Sequence, residues 1–407
     1  MSALPEDPVD ERPAIALLPG SSAARPGRLS GLRAALARTA PFAAFALVPA
    51  GLAIVFLGSA IASDVLGLDF RQAFWPAGQA VLHGHSPYPP ADPDVLTRGA
   101  SFVYPPIVAI ALVPISLLPV GVATALATLA TLAALVATLR ALGVRDWRCY
   151  SASLASPAVL GCIQTAAFSA FLALAIALAW RWRAHGRAAA CLVVAAIAAK
   201  LFLWPLLLWL AVARGTRSAL AAALGAVAVV MVPWLAGFPG LREYPRLLSL
   251  LADVEGGHAF TPRALALSLG STTTMAEAAA LLLGAAVLIA AGVRARRPEA
   301  ERATLALAVL AGLLLSPVVW SHYFVVLLPV IAIARPRMGW AWMMLPALWL
   351  SGGAWSAANG LEVAVGLAVM VLAVVPALSL DPPLGGVVAG SSGHSGRGAP
   401  VHHRQDA

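Results

Sequence analysis

The sequence predicts an all-α fold, a polytopic transmembrane helical bundle, and three observations carry that prediction. The 407 residues are 60% hydrophobic and only 11% charged, with a mean hydropathy of +0.86. Soluble domains carry roughly 25% charged residues, so too little charge is present to solvate an ordinary surface. Apolar runs close to the ~20 residues that cross a bilayer recur along the chain. The runs are continuous in Leu, Ala and Val rather than alternating with period two, which excludes a membrane barrel.

The basic residues order these runs. A net charge of +9 is spread in small groups between apolar segments, as topology determinants are, so no nucleic-acid partner is expected. The groups are Arg25 to Arg38; Arg140, Arg145 and Arg148; Arg181, Arg183 and Arg187; Arg214 and Arg217; Arg294, Arg296, Arg297 and Arg302; and Arg335 with Arg337. If each group faces the cytoplasm, an even number of crossings separates neighbours. Residues 42–63 then leave the cytoplasm, 64–102 lie outside, and the chain returns by Arg140. Segments 149–163 with 168–182 and 187–199 with 201–213 form hairpin pairs. Residues 218–236 go out, 237–272 stay outside and 275–293 come back; 303–316 with 323–334 and 340–354 with 361–380 complete the set.

This scheme gives about 12 crossings within a transmembrane domain over 42–380, both termini inside. The proline-rich stretch 103–118 is extra, a helix dipping into the membrane or lying at its outer face, and widens the count to roughly 10 to 14. Residues 1–41 and 381–407 are expected to be disordered cytoplasmic tails, and no cleavable signal peptide is evident. Cys149, Cys162 and Cys191 lie in or beside apolar runs without metal spacing and are expected as small core hydrophobes.

On this sidedness the chemistry gathers outside. The first outer loop contains DFRQAFWPAGQAVLHGHSPYPP, residues 69–90. Phe70, Phe74, Ala77, Val81 and Leu82 recur at three- and four-residue steps opposite Arg71, Gln72 and Gln79, the pattern of an amphipathic helix in the interface plane, with Trp75 as an anchor. Asp69 heads that helix. It is either a cap stabilised by the helix dipole or an acid of a site. His83 and His85 follow into a turn and have no partners at metal spacing. Asp92 and Asp94 sit among prolines as turn acids, and the charged residues of the second loop, Glu255 among them, are expected mostly in solvent.

Two further polar residues interrupt apolar runs at the same outer level. Lys200 is the only lysine in the chain and stands within AAIAAKLFLWP. An ammonium there costs several kcal/mol unless it snorkels, pairs or faces a wet cavity. It is either a topological residue at a hairpin turn or a cation ready for an anion such as phosphate. His322, in Trp320–Ser321–His322–Tyr323, follows the helix-breaking Pro317 and is either a hydrogen-bonded core residue or part of a site. No P-loop, zinc-spaced cluster or nucleophile elbow is present, so no cofactor is expected; a divalent ion bridging Asp69 and a phosphate is the one metal role left open. One acid and two cations at one level suit an anionic substrate, with the acid as general base.

Five pieces in order resemble the membrane glycosyltransferases of the GT-C class, and within them the bacterial polyprenol-phosphate-mannose-dependent α-mannosyltransferases. They are the Asp69–Phe70 helix; Phe102–Val103–Tyr104–Pro105–Pro106; Ser156–Pro157–Ala158–Val159–Leu160; Lys200–Leu201–Phe202; and Ser316–Pro317 with Trp320 and His322. The resemblance covers roughly residues 42–335. It implies transfer of a sugar from a polyprenyl-phosphate donor to a glycolipid or lipoglycan hydroxyl at the extracytoplasmic face of a bacterial plasma membrane, with inversion. It implies Asp69 as the base that deprotonates the acceptor, with Lys200 and His322 near the donor phosphate. Arg71, Gln164, Trp320 and Tyr104 are candidate helpers. Where relatives have a Gly-Gln-x-Asn-like turn, this chain has Ile163–Gln164–Thr165–Ala166, a departure that bears on the sugar or acceptor more than on the reaction.

Three alternatives stand beside this expectation. Another sugar, such as arabinofuranose, would need the same machinery. A secondary transporter or flippase of lipid-linked sugars also fits many helices and an intramembrane lysine, but such proteins place their polar groups near the midplane in repeated halves. A membrane scaffold leaves Lys200 and His322 unexplained.

Overall fold

The computed structural model describes residues 42–97, 101–297, 300–353, 356–357 and 359–379, and among them the chain is helical, with no strand. The expected tails 1–41 and 381–407 lie outside the described residues. Five helices are long and apolar enough to cross a membrane: Ala43–Ala62 (α1), Val120–Ala141, Thr216–Leu235, Thr273–Arg294 and Gly360–Leu378. The pair Pro157–Thr165 and Ser169–Arg181, bent by 114°, adds a sixth if it is one broken span. Shorter apolar helices occupy Pro106–Ser116, Gly186–Ala199, Leu201–Arg214 and Ser321–Ala334. The helices fall close to the apolar runs of the sequence, but many are below the ~20 residues of a full crossing. Residues 340–353 differ most: they form two 3-10 segments, Trp340–Met343 and Pro346–Ser351, rather than a continuous helix.

Two ends of the bundle are chemically distinct. After α1, residues Phe70–Phe74 and Trp75–Leu82 (α2) are helical, followed by Pro106–Ser116 (α3) and Val120–Ala141 (α4). Asp146 caps the short helix Trp147–Leu154 (α5) by accepting from the Arg148 backbone N–H. Pro157–Thr165 (α6), Ser169–Arg181 (α7) and Gly186–Ala199 (α8) follow. Arg140, Arg145 and Arg181 gather around one surface cavity, Arg183 pairs with Glu301 at 3.0 Å, and Arg214 packs on Gly186. Running along α7 from Arg181 to Phe168, or along α8 from Arg187 to Lys200, leads from this basic end to the aromatic end. Cations at one end and aromatics at the other follow from sequence segments that each begin or end in Arg.

The first loop packs on protein. Phe70, Ala73, Phe74 and Ala77 are buried, so most of the apolar face expected on the membrane interface is taken up within the fold, while Leu82 at its end stays exposed. Gly78 lets α2 lie directly on α3, since a Cβ there would collide with Ser116 Oγ. Trp75 Nε1 donates to the Leu118 carbonyl at 3.1 Å, and the Gln79 amide donates to the Ser116 carbonyl. Cys149 and Cys162 are buried as expected, whereas Cys191 is exposed along an apolar groove between α3, α8 and the Thr216–Leu235 helix.

Candidate active site

Local backbone features bring distant residues to the aromatic end. Past α1 the chain reverses through two left-handed residues, Asp64 at φ 54° and Gly67 at φ 68°. A Cβ on Gly67 would strike Thr124, and its N–H donates to the Gln164 carbonyl at 2.5 Å. The turn therefore seats Asp69 beside the C-terminal end of α6. Asp69 precedes the Phe70–Phe74 segment but makes no side-chain capping hydrogen bond, so capping does not account for it. Helix α6 ends at Ala166, left-handed at φ 52°, which lets the chain swing into α7. Helix α8 stops at Lys200, an extended residue (φ −150°, ψ 104°) between it and the Leu201–Leu203 turn. After Glu301–Leu315 (the helix that packs on that turn), Ser316 breaks the helix, its Oγ donating to the Val318 carbonyl at 2.8 Å, and Ser321–Val326 forms a 3-10 segment against α6.

These segments enclose a cavity of about 250 Å³ lined by Asp69, Tyr104, Trp320 and His322 together with Phe74 and Glu255. Burial raises the Asp69 carboxyl to about 6, and the nearby charge of Lys200 opposes that rise. Its side chain retains partial exposure, through the cavity it lines. His322 is buried, stacks on Trp320 at 5.9 Å, and meets Tyr323 edge-on at 4.9 Å. Its Nε2 has no hydrogen-bond partner among the described residues. A buried polar atom left so costs about 1–3 kcal/mol, the signature of a group kept for something other than stability.

Lys200 does not itself line the cavity. Its Nζ lies 4.0 Å from the ring centroid of Tyr104, which does, and 3.9 Å from that of Tyr323, and it donates to the Tyr323 hydroxyl. Gln164 is buried behind, with Oε1 lacking a partner among the described residues. Arg71 is drawn elsewhere: its guanidinium donates to the Asp64 carboxylate at 2.6 and 3.1 Å and to the Asp64 carbonyl at 2.8 Å, and it does not line the cavity. His83 is exposed and turned back on the Gln79 carbonyl.

Two residues at the site carried no sequence signal of their own. Glu255 ends the helix Tyr244–Glu255, which is tied to the cavity-lining Val103 by the Tyr244 hydroxyl donating to the Val103 carbonyl at 3.2 Å. Tyr323 was visible only as a neighbour of His322. Among the described residues, no group of three or more His, Cys, Asp or Glu is arranged to hold a metal ion.

The arrangement joins the buried Asp69 carboxyl and a His322 imidazole with an unpartnered Nε2 at one aromatic-walled space, with the Lys200 ammonium behind its Tyr104 wall and close enough to act on Asp69. No curated protein and no solved structure matches the chain. The sequence profile of glycosyltransferase family 87 matches residues 102–317, more than half of the 407 residues and a stretch that holds Tyr104, Gln164, Lys200 and Glu255. The chain therefore belongs to glycosyltransferase family 87 and is a membrane glycosyltransferase of the GT-C type.

Proposed function

We propose that the protein transfers a mannosyl, or another hexosyl, residue from a polyprenyl-phosphate-linked donor to a hydroxyl of a glycolipid or lipoglycan, with inversion, at the extracytoplasmic face of a bacterial plasma membrane. The observation that carries this reading is the meeting of Asp69, Tyr104, Trp320 and His322 at one cavity, with Lys200 against Tyr104. In the proposed step the Asp69 carboxylate takes the proton of the acceptor hydroxyl as its oxygen bonds the anomeric carbon. The bond from that carbon to the phosphate oxygen breaks, and polyprenyl phosphate leaves. Lys200 and the imidazole of His322 face the charge that grows on the phosphate, where fixed donors count most. A raised carboxyl suits a base at neutral pH, since its proton affinity is closer to that of the group it must deprotonate in the transition state.

The test is transfer by the purified protein from polyprenyl-phospho-mannose to lipid extracts of envelope, for wild type and Asp69→Asn. Transfer by wild type and a loss of about 10²–10⁴-fold in the variant, with thermal unfolding no lower than that of wild type, is expected. Transfer of only another sugar, such as arabinofuranose, would move the donor assignment. Sugar movement across vesicles without any glycosidic product would replace the enzyme reading with a transporter.

A further inference from the structure

The Lys200 ammonium is held by rings. Tyr104 and Tyr323 each lie about 4 Å from Nζ, and the Tyr323 hydroxyl accepts one of its three N–H bonds. Each ring is itself locked by aromatic neighbours: Tyr323 stacks on Phe202 at 5.8 Å and meets Trp320 at 5.6 Å, and Tyr104 packs on Phe74 at 5.0 Å and Phe168 at 6.1 Å. Among the described residues Lys200 makes no ion pair. Ring faces and a neutral hydroxyl stabilise an ammonium without cancelling its charge, whereas a carboxylate in contact would cancel it. A lysine otherwise spreads over many rotamers, and the cage removes that freedom before any ligand arrives.

We propose that Tyr323, with Tyr104, is a positioning residue that fixes the Lys200 Nζ in place for the phosphate of a lipid ligand. The proposal rests on the reading of Lys200 as the phosphate cation. It assigns to Tyr323 a role distinct from the wall of the cavity, because its hydroxyl acts on Nζ and its ring on the charge.

The experiment measures binding of farnesyl phosphate, with farnesol as the uncharged control, to the full chain in lipid nanodiscs. The readout is the ratio of the two affinities, which a general loss of packing lowers for both ligands alike. Wild type is expected to prefer the phosphate. Lys200→Met should reduce the preference by about 10- to 100-fold, the worth of a charge-assisted hydrogen bond. Tyr323→Leu should reduce it by about tenfold although Lys200 is intact, and Tyr323→Phe, which keeps the ring, by only about threefold. Wild-type preference in Tyr323→Leu, with loss in Lys200→Met, overturns the positioning role and leaves the phosphate reading standing. Wild-type preference in Lys200→Met overturns both. If Tyr323→Leu does not fold, Tyr323→Phe decides alone, and an unchanged ratio there overturns the proposal.

Discussion

Burial raises the Asp69 carboxyl to about 6, and that one shift governs two pH dependences of opposite sense. A base must be ionised, so kcat/KM is expected to drop about tenfold per pH unit below about 6 and to level off above it. A pH–rate profile checks this, and an inflection near the ordinary 3.8 would show that Asp69 is not the titrating base. For stability, the folded chain binds the extra proton between 3.8 and about 6, so stability falls as pH rises through that window. Above it the folded state carries the whole cost of the buried charge, at most about 3 kcal/mol. Asp69→Asn is therefore expected to unfold at a higher temperature than wild type at pH 8, the gap closing by pH 4, in thermal scans. The place of Asp69 at the head of an apolar loop was legible in the sequence; that it makes no side-chain capping bond was visible only in the structure.

At the scale of elements, close approaches transmit packing to the site. Gly312 lies against the Leu201–Leu203 turn, where an added Cβ would come 2.5 Å from the Phe202 carbonyl oxygen. Backbone on one side and helix on the other leave no flexible atom to yield. Gly312→Ala is expected to cost about 1–3 kcal/mol by overpacking. It should also lower transfer activity more than a destabilisation of that size does elsewhere, because Phe202 stacks on Tyr323 and Tyr323 holds Lys200. Activity measured well below the unfolding temperature separates the two effects, and a variant with normal kinetics would disconnect that turn from the cage. Residues 70–82 are helical, as a π-helical turn and α2, but their periodicity could not say what covers the apolar face. That face meets protein because Gly78 permits α2 to lie on α3, a property of two segments rather than of one.

At the scale of the molecule, Arg140, Arg145, Arg181, Arg183 and Arg214 gather at the end of the helices away from Lys200, whereas Arg71, Arg242, Arg246 and Arg263 lie in the loops on the cavity side. The larger basic group agrees with the proposed extracytoplasmic site under the positive-inside rule. A reporter fused after Arg217 is expected to report cytoplasm and one after Gly257 the outside; the reverse pattern would invert the proposed sidedness. The long apolar helix Thr216–Leu235 between these points makes the test direct. By itself the sequence determined the helical membrane character, the basic end, and Asp69, Lys200 and His322 as polar residues out of keeping with their surroundings. Composition and charge act locally, through the cost of placing each residue in lipid or water, and a single segment carries that information. Only the tertiary structure decided that Glu255 and Tyr323 join the site and that Arg71 turns instead to Asp64. Those outcomes depend on which helices pack together and where the chain reverses, and side chains more than a hundred residues apart meet only once that packing is complete.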